Sequence, residues 1–384
     1  MRRPSDTVVA AAVFTVFFAV YAFTAGRGLG WGDSGEFQHW ILDGVDLSSR
    51  KGFSNIHPLY VWLGRSIAST TFGVNVISSF FGALALAGFF LLTRNLAVTV
   101  LFGFSHALWW LSTTAEVLTM SLAFVVFETF FFLKWLRGGR LGHLVAFAFL
   151  NGLHLEAHNL ALLALPVYAV AFANHAWRVR PARRFACGAA AAAAWAAGAS
   201  YWLFNFFARG PADVLFGSYG AQVSGVLPAS WPTAVFNWAL AAMSFAPVPF
   251  LWKRRGNHEP YIVALFAVHF VFWIRYFIIS QFTFVLPSLF FAYLVAARSR
   301  RNVSFAAFSG LLAIDFALPV AAFLTLSAIG FPSWYWSHPH RDDAAYFALP
   351  WKFNDDSADR CASEMNWPWD GYWHPEMANG IEVR

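Results

Sequence analysis

Residues 8–37 read VVAAAVFTVFFAVYAFTAGRGLGWGDSGEF: an apolar run, then a glycine-rich loop carrying two carboxylates. A run of roughly 18 apolar residues is long enough to cross a hydrocarbon layer about 30 Å thick. Arg2 and Arg3 precede it, which places the N-terminus in the cytoplasm and the loop outside. The chain is only 12% charged, so two acids three residues apart at a membrane edge need a reason. Gly32 and Gly35 allow a tight turn and close approach of a ligand. If a helix starts here, Asp33 and Glu36 share a face. Trp31, Phe37 and Trp40 are expected to seat the loop in the interface. One reading is a solvated loop with incidental acids. The sharper one is a carboxylate held at the water boundary as a general base.

Outward from this loop, the composition removes the soluble classes. The chain of 384 residues is 59% hydrophobic and 19% aromatic, with mean hydropathy +0.53. Long apolar runs recur at 74–93, 95–113, 117–135, a short-limbed hairpin over 141–172, 186–207, 234–252, 260–277, 281–297 and 303–329. The expected fold is all-α and polytopic, with about eleven spans and none of the short alternating segments of a membrane barrel. The net charge of +6 forms no patch suited to nucleic acid. Basic residues cluster instead at alternate ends of the apolar runs, as orientation by positive charge requires. Residues 1–330 read as the membrane domain, with the first outer loop at 26–73. The tryptophan-rich tail 331–384 reads as a non-cytoplasmic lid or interfacial anchor. Cys187 and Cys361 fall on opposite faces and form no disulfide framework. Alanine runs point weakly to a GC-rich bacterium, hence an inner-membrane protein.

Further polar residues stand out against this background. Glu116, in WWLSTTAEV, lies at an outer turn on the same face as Asp33, as a helix cap or as part of a site. In NGLHLEAHN, residues 151–159, His154 and His158 are four apart. They read as cavity-lining or buried histidines, since the zinc-protease order His-Glu-x-x-His is absent. Arg275, in FWIRYF, either snorkels or aims its guanidinium fork at a phosphate. His57 and Arg65 are weaker candidates for that work. Glu128 and Asp315 fall within apolar runs, need partners, and are expected to be structural.

In order, WGDSGEF, IHPLY and VNVISSFFGALA resemble the GT-C glycosyltransferases, and in particular the branch typified by the transmembrane protein 260 type of protein O-mannosyltransferase. That branch carries Gly-Asp-Ser-Gly-Glu, matched by Gly32 to Glu36, and His-Pro-Pro-Gly-Tyr, matched in part by His57 to Tyr60. Its Ala-Glu-Val is matched by Ala115 to Val117, and its Gly-Leu-x-Leu-x-x-His by Gly152 to His158. His57-Pro58-Leu59-Tyr60 departs by lacking the second proline and the glycine. The resemblance spans residues 8 to 297. It implies a sugar, with mannose expected, moved from a polyprenyl-phosphate carrier to a hydroxyl, for example Ser or Thr of a protein or a glycan. Asp33 is then the base. Glu36 and Glu116 serve the acceptor or shape the site, and Arg275, with His57 and Arg65, holds the donor phosphate. No metal or cofactor is expected, because no Asp-x-Asp triplet occurs and the donor is a monophosphate. A transporter or flippase is the rival reading, and would need essential acids near mid-membrane. A non-catalytic assembly protein is the other.

Overall fold

The computed structural model describes residues 5–44, 57–176, 181–215, 231–251, 260–276, 281–299, 303–329, 343–355 and 358–359. Among these residues the fold is all-helical, and every apolar run named above is helical. Among the described residues, six helices are long and apolar enough to cross a membrane: Asp6–Thr24, Thr71–Thr93, Leu118–Gly138, Ala234–Leu251, Gln281–Arg298 and Phe305–Ile329. Ala161–His175, Phe185–Gly198 and Pro260–Arg275 are shorter apolar helices. Large apolar side chains such as Phe23, Phe185, Phe207, Phe305 and Ile329 stay exposed on the bundle's outside. A water-soluble protein rarely leaves so much apolar surface bare, whereas hydrocarbon is its natural solvent. The chain is an integral, multi-pass membrane protein.

Helix α1 (Asp6–Thr24) starts at Ser5, whose hydroxyl accepts from the Val8 amide. Two short helices follow, α2 (Asp33–Leu42) and α3 (Pro58–Ile67), before the long α4 (Thr71–Thr93). The third apolar run is broken at Ser105 into α5 (Leu96–Phe104) and α6 (His106–Ser112). Extended backbone at Ser105 interrupts the helical ladder there, and α6 restarts directly after it. Helix α7 (Leu118–Gly138) follows, and the 141–172 hairpin is α8 (Leu141–Ala157) and α9 (Ala161–Ala176). Helix α10 (Pro181–Gly198) lies so close to α8 that a Cβ on Gly152 would sit 2.2 Å from the Trp195 carbonyl oxygen. Small residues are what let membrane helices approach this closely.

The core lies around the helix Leu286–Ser299, where Phe290, Phe291 and Tyr293 meet Phe89 and Phe102. Mid-membrane, Glu128 has a partner from a neighbouring helix. His154 Nδ1 lies 2.8 Å from Glu128 Oε1, and the Asn151 amide donates to Oε2 at 3.1 Å. Tyr168 also donates to Oε2, and the Ser121 hydroxyl lies 2.7 Å from His154 Nε2. All are buried. His154 therefore belongs to this internal network and not to a cavity lining. Asp315 is also buried, and its oxygens meet no hydrogen-bond partner among the described residues.

The described part of the tail is docked on the end of the bundle that carries the Asp33 loop. The Lys352 amide donates to the Thr24 carbonyl at 2.7 Å, and Thr113 donates to the Pro350 carbonyl at 2.8 Å. The Lys352 side chain is buried against Trp110 and Tyr346, and its ammonium donates to the Tyr346 and Leu349 carbonyls. Most of the tryptophan-rich tail, read above as a lid or interfacial anchor, lies outside the described residues, as does Cys361.

Candidate active site

Gly32 has φ +56°, a conformation that suits glycine, and it turns the chain so that α2 begins at Asp33. Asp33 thus stands at the positive end of a helix dipole, which favours a carboxylate. It is exposed, while Ser34, Gly35 and Glu36 behind it are buried. The helix is short and enclosed, so positions three apart do not share an open face here: Glu36 is 5% exposed. Trp31, Phe37 and Trp40 are buried as well, a departure from their expected interfacial place. They fill the space under the loop, and so fix it to the protein.

The loop ahead of Asp33 is held on both sides. Gln38 accepts from the Gly30 amide at 2.9 Å and donates to the Gly28 carbonyl at 3.2 Å and to Asn75 Oδ1 at 3.2 Å. From the tail, the Asp359 carboxylate accepts from the Leu29 amide at 3.3 and 3.2 Å. Tyr346 reaches the Trp31 carbonyl at 3.5 Å.

Three other motifs arrive at the same place. Ser78 of α4 joins two of them: its hydroxyl receives the Glu116 amide at 3.0 Å and lies 2.9 Å from the Tyr60 hydroxyl. Burial holds the Glu116 carboxyl well above its ordinary range, and the Asp33 charge adds to this, while Ser34 beside it partly offsets both. Burial thus favours the protonated form of Glu116, beside the exposed Asp33. His57 caps α3 just before Pro58 and lies 2.8 Å from the Ala157 carbonyl through Nδ1. Its ring stacks on His158, with centroids 4.8 Å apart. Phe37 lies 5.6 Å from His57, and Phe284 lies 5.7 Å from His158. Tyr276 packs on Phe284 at 4.9 Å, and burial together with Asp33 pushes its hydroxyl up to about 12. Asp33 thus shares an electrostatic neighbourhood with Glu116, His57 and Tyr276.

Not every expected residue joins this cluster. Arg65 donates through Nε and Nη2 to the Trp40 carbonyl at 3.0 and 2.8 Å, where it fastens α3 to the end of α2. Arg275 is exposed in the last turn of the helix Pro260–Arg275, beside Tyr276. Among the described residues no group of three His, Cys, Asp or Glu is placed to hold a metal ion. Ser34, Tyr276 and Phe284 went unnoticed in the sequence. Ser34 sits inside the quoted motif and Tyr276 beside Arg275, but only long-range packing brings Ser34 to Glu116 and Tyr276 near Asp33.

Burial brings His57 down to about 4 from an ordinary 6.5, against the smaller opposing effects of its backbone bond and Asp33. The unfolded chain then binds the extra proton first. His57 contributes stability above pH 6.5 that is lost as pH falls toward 4. His57→Asn should flatten the rise in melting temperature between pH 4 and 6.5 relative to wild type. Equal slopes for the two proteins would show that the ring is not desolvated.

No family model matches the chain, and no curated protein is similar enough in sequence to count as a match. Among solved structures, the chain is similar to ArnT from Cupriavidus metallidurans, whose crystal structure is bound to undecaprenyl phosphate. The TM-score is 0.62 at 15% identity, covering 88% of this chain and 67% of that one. The likeness establishes the fold, a GT-C-like helical architecture.

Proposed function

We propose that the protein is a membrane glycosyltransferase that takes a sugar from a polyprenyl-phosphate donor on the non-cytoplasmic face. The observation that carries this reading is the exposed Asp33 at a helix N-terminus, gathered with Glu116, His57 and Tyr276. The fold shared with ArnT, itself bound to undecaprenyl phosphate, supports the class of donor. The acceptor hydroxyl oxygen attacks the anomeric carbon, and Asp33 takes the hydroxyl proton. The bond from that carbon to the phosphate oxygen breaks, and its electron pair leaves with the phosphate. Because the leaving group is already a stable anion, one base suffices. A glycosidase, by contrast, commonly needs two carboxylates in different roles. Neutral Glu116 donates a hydrogen bond within the site, and Arg275 meets the donor phosphate with its planar fork. Mannose as the sugar, and Ser or Thr of a protein as the acceptor, follow from the motif resemblance.

The transporter reading is weakened by Glu128, whose carboxylate is fully engaged with His154, Asn151 and Tyr168. The test is to give the purified protein in nanodiscs undecaprenyl-phosphate mannose and a Ser/Thr-rich peptide. Glycopeptide and free undecaprenyl phosphate should appear together. If no undecaprenyl-phosphate hexose is bound or turned over, the reading fails.

A further inference from the structure

His57 has φ 48°, one of two positive values among the described non-glycine residues. For an L-residue this conformation is unfavourable and persists only where the surroundings enforce it. In this conformation the ring meets the Ala157 carbonyl through Nδ1 at 2.8 Å. A carbonyl can only accept, so the His57 proton is on Nδ1, and Nε2 presents a lone pair. On His158 the arrangement is reversed. Its Nδ1 accepts from the Leu160 amide at 3.1 Å, so the proton is on Nε2. Burial holds both rings neutral, and each remains partly accessible. Neither Nε2 has a hydrogen-bond partner among the described residues. The stacked pair therefore offers one acceptor and one donor, between the aromatic rings of Phe37 and Phe284.

An ionised phosphate oxygen only accepts, so it could bond to His158 but would face repulsion from the His57 lone pair. A hydroxyl group donates and accepts at once. We infer that the stacked His57–His158 pair binds a hydroxyl of the transferred sugar, not the phosphate of the donor. The inference rests on the polyprenyl-phosphate reading, and it moves His57 away from the phosphate role expected from the sequence.

The test compares binding of bare undecaprenyl phosphate with undecaprenyl-phosphate mannose, glucose and galactose, using the full chain in nanodiscs. Wild type should prefer a sugar-bearing lipid over the bare phosphate. His57→Asn keeps an N–H for Ala157 and tolerates the left-handed backbone, but removes the outward lone pair. His158→Asn likewise removes only the outward N–H. Each should cut the preference about tenfold, the loss of roughly one hydrogen bond, and leave binding of the bare phosphate unchanged. His158→Gln, whose amide reaches the Nε2 position, should restore part of it. Equal weakening of both kinds of lipid would make the pair a phosphate site, and no change would make it packing. A wild type that binds the bare phosphate but gains nothing from sugar overturns the pair alone. A wild type that binds neither lipid overturns the donor reading as well.

Discussion

Asp33→Asn should lower sugar transfer by about 10²- to 10⁴-fold, equivalent to roughly 3 to 5 kcal/mol of barrier, while the protein stays folded. Asparagine is nearly isosteric and keeps a polar side chain in the first turn of α2. What it cannot do is take the proton of the attacking hydroxyl. Because Asp33 is exposed among buried neighbours, the change disturbs no packing. Glu36→Gln alters a buried side chain away from the open face and should cost less. The measurement is transfer by purified, monodisperse variants from an undecaprenyl-phosphate sugar, with binding of the donor checked separately. Wild-type turnover by Asp33→Asn would remove the base assignment.

Glu128→Ala is expected to have the largest effect on stability, a loss of about 3 to 5 kcal/mol. The carboxylate is buried at 1% exposure and holds His154, Asn151 and Tyr168 together. Its removal strands three polar groups inside the bundle and opens a void. Glu128→Gln keeps the volume and an acceptor, and should lose less. Protein that remains folded should still transfer sugar, since Asp33 and its neighbours are untouched. The check is the melting temperature in detergent beside the specific activity of the folded fraction. Full stability with abolished activity would mean that Glu128 acts in turnover, and would restore the transporter reading.

How far the sequence could be read follows from which features are local. Each apolar run is a local pattern, and each is helical. The break at Ser105 was invisible, because an apolar stretch continues through it. Asp33 could be found because glycines and a second acid mark the turn around it. Glu128 was seen to need a partner, yet nothing near it in the chain could say that His154, 26 residues on, was the one. Arg65 is a similar case: only the folded chain shows two of its nitrogens on the Trp40 carbonyl, 25 positions earlier. The aromatic residues around Asp33 carried an interfacial signal by type, and the tertiary fold turned them inward. Lys352 gave no signal at all, since a lysine in a polar tail is ordinarily solvated.

The strap formed by the tail has a consequence for biosynthesis. The backbone groups of Thr24 and Leu29 are made among the first, but their partners at Lys352 and Asp359 leave the ribosome more than 300 residues later, with Leu29 and Asp359 separated by 330 positions. Helices insert in the order they are translated, and contacts this distant in sequence close last. The segment leading to Asp33 therefore spends most of synthesis without the contacts that Lys352 and Asp359 provide. A nascent chain can already be threaded through the bilayer while the loop before Asp33 is still unfastened.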